Sequence, residues 1–212
     1  MSTPASPARR RGRPPKPRAS DAATRDLILQ AGLQVLTEKG FSATGLDELL
    51  NRAGVPKGSF YHYFASKEQM GLALIERYGA YFARKLDRHF DNTALAPLAR
   101  LQAFIDDASE GMAQHAFRRG CLIGNLGQEM GALPDSFRAH LCATFEDWQQ
   151  RLQGCLQQAI DSGQLRPDCD TRALSAAFWI GWEGAVLRAK LERSAQPLAV
   201  FASFYLNALP KP

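Results

Sequence analysis

Long apolar runs are missing from this chain of 212 residues. No stretch approaches the roughly 18 residues needed to cross a bilayer, and the first residues hold no apolar core of the signal-peptide kind. No membrane partner and a cytoplasmic location are therefore expected. Cysteine is also scarce. Cys121, Cys142, Cys155 and Cys169 form no C-x-x-C pair, which argues against a zinc ribbon or a disulfide scaffold and fits a reducing compartment. Phosphate-loop, Ser/His/Asp and metal-ligand spacings are absent too, so neither a cofactor nor a metal is expected. Strand-like alternation of period two is sustained nowhere.

What is present is unevenly placed. Residues 1–20 carry Arg9, Arg10, Arg11, Arg13, Lys16 and Arg18, no acid, and five of the twelve prolines. Taking those six from the 26 basic residues leaves 20 against 21 acidic. The net charge of +5 thus belongs to the arm, on a nearly neutral body. With few apolar groups to bury, residues 1–20 read as a disordered basic arm. It suits either a nucleic-acid partner or simple solubility.

Beyond the arm, 45% apolar residues suffice for a sizeable core, and their period is helical. Residues 21–39 place Leu27, Ile28, Ala31, Val35 and Leu36 on one face and stop at Gly40. Residues 67–90 repeat Met70, Leu74, Tyr78, Phe82, Leu86 and Phe90 at every fourth position. Further stripes run through Leu98–Met112, Phe137–Ala159, 171–192 and 198–209. The fold class is all-α.

Residues 41–68 read FSATGLDELLNRAGVPKGSFYHYFASKE. Thr44 with Asp47 three residues on predicts a capping-box-like start to a short helix. Gly54 supplies a tight turn, a second short helix follows from Lys57, and Ser66 is placed to cap the next long helix. Two short helices across a Gly-containing turn make a helix-turn-helix, whose second helix enters the major groove. Lys57, Gly58 and Ser59 stand at its start, Tyr61 and His62 are candidates for groove and backbone, and Phe60 reads as core.

The run GVPKGSFYHYFASKE, preceded by a helix ending Gly40-Phe41, resembles the DNA-binding domain of the TetR family of bacterial repressors. The likeness is close over about the first 70 residues. It implies a three-helix DNA-binding domain over 21–66 and a helical ligand-binding and dimerisation domain over 67–212. It implies phosphate contacts at Thr44, Tyr63 and Lys67, and a homodimer on a double-stranded DNA operator that a small-molecule effector releases. Arg11-Gly12-Arg13-Pro14 resembles an AT-hook, in which arginines enter a narrow A·T minor groove; a purely electrostatic arm is the other reading.

In the second half, RRGCLIGNLGQEMGALPDSFR (118–138) and WIGWEGAVLRAK (179–190) resemble a TetR subgroup that answers acrylate and N-ethylmaleimide-type electrophiles. The position matching an electrophile-sensing cysteine is Cys121, and the subgroup's nearby lysine matches Lys190. A helix start and the adjacent Arg118 and Arg119 would favour the thiolate at Cys121; the other reading is an inert buried thiol. Met112, Trp148 and Trp182 complete the expected effector pocket, although for Trp182, as for Trp179, core packing is the favoured reading. Ala177, Gly181, Ala185 and Ala189 give a small-residue stripe expected to meet a second copy. A small all-α, cysteine-dependent detoxifying enzyme is the alternative from another class.

One expectation concerns the arm alone. Deleting residues 1–18 removes six cations, so the slope of log K against log salt on operator DNA should become shallower. An unchanged slope in a salt titration would show that the arm stays off the DNA.

Overall fold

A computed structural model describes residues 21–212, and the basic arm with Arg11 and Arg13 lies outside the described residues. Among the described residues there are nine helices and no strand: α1 (Asp21–Lys39), α2 (Leu46–Ala53), α3 (Lys57–Tyr63), α4 (Lys67–Phe90), α5 (Pro97–Ala113), α6 (Leu122–Gln128), α7 (Ser136–Asp161), α8 (Thr171–Glu192) and α9 (Gln196–Ala208). None is long and apolar enough to cross a membrane.

The first three helices close on a small core. Ile28, Leu29, Leu36, Leu49, Leu50 and Phe60 are buried there. Gly40 (φ 88°) ends α1, and Gly54 (φ 66°) turns the chain between α2 and α3 in a left-handed conformation that costs glycine little. The capping box expected at Thr44 does not form. Gly45 is the N-cap of α2 and makes no side-chain bond. The Thr44 hydroxyl turns inward and donates to the Gly40 carbonyl at 2.6 Å, so it braces the α1–α2 turn. The cap on α4 does form: the Ser66 side chain accepts from the Gln69 N–H at 3.1 Å, while Gln69 accepts from the Ala65 N–H.

With 24 residues, α4 runs about 36 Å from the head into the helical half, where it packs on α5 and α7. Arg151 of α7 pairs with Asp87 of α4 and with Asp147. The buried Arg100 donates to the Phe90 carbonyl (2.8 Å), the Leu95 carbonyl (2.8 Å) and Gln158 (2.7 Å), which fixes the α4–α5 connection against α7. Phe82, Phe104, Trp148, Phe178 and Trp179 fill the centre as an aromatic cluster with ring separations of 4.4–6.4 Å.

The small-residue stripe on α8 is only partly open: Ala177 is exposed and Gly181 half-buried. Ala185 and Ala189 are buried within the chain, and a β-carbon at Gly181 would collide with Phe201 of α9. The stripe brings α9 close to α8. The open apolar groups are instead Ile180, Leu187 and Leu191 on α8, with Val200 and Phe204 on α9.

Gly71 and Gly154 give opposed expectations from one substitution. A β-carbon at Gly71 would stand 2.5 Å from Phe137 and 2.9 Å from Phe41, so Gly71→Ala should destabilise by about 1–3 kcal/mol through overpacking. Gly154 is exposed in the interior of α7 with nothing within 4 Å of its added carbon. Gly154→Ala should stabilise by about 0.5–1 kcal/mol. Urea denaturation of both variants checks the pair, and shifts of one sign would contradict it.

Candidate functional site

The head presents α3 outward. Tyr61 is 57% exposed, and Lys57, Gly58 and His62 are exposed beside it. Lys57 pairs with Asp47 at 2.9 Å, and space is open around the Gly58 α-carbon. Ser59 and Tyr63 are half-buried; the Tyr63 hydroxyl donates to Asp21 at 3.2 Å. Phe60 is fully buried and anchors the helix. Two sequence-derived phosphate contacts are placed differently. Thr44 is buried with its hydroxyl spent on Gly40. Lys67 turns back, donating to the Phe41 carbonyl at 2.6 Å over the Phe41 ring, and desolvation there lowers its ammonium below the usual lysine range.

Between the helical half and α1 lies a cavity of about 280 Å³, open to solvent on one side. Tyr78, Phe82 and Lys85 of α4 line it, as do Gly111 and Met112 of α5, Trp182 and Glu183 of α8, Thr37 of α1 and Cys121. Of the expected effector residues, Met112, Cys121 and Trp182 meet there. The other three do not reach the lining. Trp148 is fully buried behind Phe82, Arg118 is exposed, and Lys190 donates to the Thr37 carbonyl at 3.0 Å. The residue that sequence reasoning missed is Glu183. Its only signal is one acid inside the apolar run of α8.

The environment of Cys121 reverses the charge expected from its sequence neighbours. Arg119 is held by Glu38 at 3.1 Å and Arg118 is exposed outside the lining, whereas Glu183 and Tyr78 flank the sulfur. Cys121 caps α6 and its sulfur accepts from the Gly124 N–H at 3.5 Å. Burial, then the Glu183 charge, push the thiol well above the usual cysteine range. The resting group is therefore the thiol, not the thiolate. Glu183 is half-buried at the cavity wall but surrounded by protein. Desolvation pushes its carboxyl up to about 7, opposed by its hydrogen bond with Cys121.

Cavity and head meet at the end of α1, where the last carbonyls of a helix lack partners of their own. The Thr37 carbonyl accepts from Gly120 N–H (3.3 Å), Asn125 (3.0 Å) and Lys190 (3.0 Å). Just beyond, the Glu129 carboxylate accepts from the Phe41 N–H at 2.8 Å and the Ser42 N–H at 2.7 Å. Every one of these partners comes from the helical half.

A helix-turn-helix head joined in this way to a helical half with a cavity defines a DNA-binding regulator of the ligand-responsive kind. Residues 28–74 match the family described as bacterial regulatory proteins, tetR family, and residues 97–205 match the tetracyclin repressor-like C-terminal domain. The transcriptional regulator AcuR of Cereibacter sphaeroides is 58% identical over 192 residues, covering 91% of this chain and 87% of that protein. The crystal structure of regulatory protein TetR from Rhodobacter sphaeroides superposes with a TM-score of 0.86 at 56% identity, covering 88% of this chain and 98% of that one. The reduced form of NemR from Escherichia coli superposes at 0.82 with 30% identity, covering 90% and 98%. The chain belongs to the TetR family and is a DNA-binding transcriptional repressor. The families and relatives matched are regulators rather than enzymes, which sets aside the detoxifying alternative.

The raised carboxyl at Glu183 has a consequence for stability. The folded state holds a proton that the unfolded chain gives up near pH 4.5, so this group's contribution is complete below about pH 4.5. It is lost as pH rises to about 7. In thermal melts across that window, Glu183→Gln should remove a decline seen in the wild type. Parallel pH profiles for the two proteins would refute the assignment.

Proposed function

We propose that this repressor binds a pseudo-palindromic operator as a homodimer. A small α,β-unsaturated carbonyl compound releases it by entering the cavity and adding to Cys121. The observation that carries this reading is the position of Cys121. It is a cavity-lining thiol one residue from Gly120, whose N–H is bonded to the end of α1. Regulators of this family generally act as dimers with small-molecule effectors, and the NemR structure is of a reduced form, in keeping with a responsive thiol.

On DNA, Tyr61, His62, Lys57 and Gly58 form the reading face of α3, with Ser59 and Tyr63 at its edge. Residues 21–66 act as the head and 67–212 as the sensor and dimerisation domain. Ile180, Leu187, Leu191, Val200 and Phe204 supply an apolar face for the second copy, since large open apolar groups of this kind mark interaction surfaces. A ligand moves such a dimer off DNA only by favouring a conformation whose two heads are wrongly spaced. Addition at Cys121 displaces Gly120 and α6, and with them the partners of Thr37, Phe41 and Ser42.

Fluorescence anisotropy on operator DNA tests both halves. Tyr61→Ala should weaken binding about tenfold or more, in line with the loss of a specific contact. Cys121→Ser should bind as the wild type does yet stay bound when a small enal or enoate is added, while Cys142→Ser releases normally. Release of Cys121→Ser at the wild-type dose would replace the thiol reading with reversible binding.

A further inference from the structure

The polar end of the cavity sets three groups from three elements around one sulfur. Tyr78 comes from α4, Glu183 from α8, and Cys121 caps α6, with the Gly124 N–H directed at the sulfur from 3.5 Å. Glu183 approaches closely because position 124 has no side chain: a β-carbon there would collide with its carboxylate. The other ionisable groups of the lining stand apart from it or are committed. Lys85 pairs with Asp107 at 3.2 Å, Arg119 is held by Glu38, and His115 is exposed. Among the described residues no lysine, arginine or histidine forms an ion pair with Glu183. Its carboxylate and the Cys121 side chain stand on the same side of Gly124, within reach of one β-carbon placed there, and face the same cavity.

A buried protonated thiol is a poor nucleophile. It reacts when a base within hydrogen-bond reach removes its proton as the new bond forms. We propose that Glu183 is that base, accepting the Cys121 proton while the sulfur adds to an α,β-unsaturated carbonyl compound in the cavity. The bond forms between Sγ and the β-carbon, and the carbon–carbon π pair moves to the α-carbon and its carbonyl. The proton passes from sulfur to the Glu183 carboxylate and from there to the α-carbon. All atoms remain in the adduct and no oxidant or reductant takes part. The Gly124 N–H and the Tyr78 hydroxyl are placed to hold the charge that develops on sulfur. Glu183 thus acts on the reacting atom itself.

The inference rests on Cys121 being the reacting thiol, and the test separates the two. Full-length protein is treated with N-ethylmaleimide between pH 5 and 9, and the rate of Cys121 modification is read by peptide mass spectrometry. In the wild type the rate should rise through a step near pH 7 and level off. Glu183→Gln should lose the step and react at least tenfold more slowly at pH 7.5, while still releasing operator completely once modification is complete. Glu183→Asp, which keeps a carboxylate on a shorter arm, should keep the step at a reduced rate. Operator affinity without the reagent, equal to wild type, certifies the fold of each variant. A faster or unchanged rate in Glu183→Gln overturns the proposal, because a carboxylate that merely repels the thiolate would slow the reaction when present. If Cys121 stays unmodified in the wild type while Cys142 reacts, the thiol reading itself fails, and the role of Glu183 with it.

Discussion

One carbonyl oxygen, that of Thr37, carries the connection between the two halves of the molecule. A helix C-terminus gathers unsatisfied carbonyls and a partial negative charge. Here a backbone N–H, a side-chain amide and a lysine ammonium converge on it from the segment before α6, from α6 and from α8. Burying that carbonyl without them would cost about 1–3 kcal/mol. The orientation of α1 is therefore set by groups outside the head, and the head follows α1 through the core of Ile28, Leu36, Leu49 and Phe60. Thr37 also lines the cavity, so the same residue touches the ligand space and the joint.

Glu129 completes the joint with the opposite charge logic. Its carboxylate binds the two N–H groups that follow the Gly40 turn, a charge-assisted pairing stronger than a neutral one. A β-carbon at Gly40 would collide with that carboxylate, so the glycine serves both the left-handed turn and the approach of Glu129. Lys67 lies over the Phe41 ring and donates to its carbonyl, and the first turn of α4 is thereby tied to the same short stretch of chain. Rearrangement of α6 alters these contacts together, because α6 and the segments beside it supply three of the four donors and acceptors.

The helices were legible in the amino-acid order because each buries one face, and a repeat near four residues is what a buried helical face leaves behind. Ser66 was legible as a cap because capping is local. Thr44 misled because its spacing to Asp47 satisfies a local signature, while a nearer partner, the Gly40 carbonyl, takes the hydroxyl. The small residues of α8 correctly signalled a close helical approach, but spacing alone does not say which helix approaches, and α9 of the same chain does. At Cys121 the misleading feature was adjacency. Arg118 is exposed and Arg119, although it lines the cavity, is held by Glu38, whereas Glu183 and Tyr78 are remote along the chain and flank the sulfur. A single acid in an apolar helix has no periodic signature, so Glu183 emerged only from the fold.

The walls of the cavity differ in how much each has to do besides face a ligand. On α1, at the start of α6 and on α8, key lining residues (Thr37, Cys121 and Glu183) are spent on the joint or on the sulfur. On α5 they are not: Gly111 and Ala108 belong to the lining, and a β-carbon added at Gly111 meets nothing within 4 Å. Selectivity can be retuned from that side by enlarging one or two small residues, with the transmission machinery left in place. The scaffold thereby offers a starting point for small-molecule biosensors whose chemical preference and whose output are adjusted on separate helices.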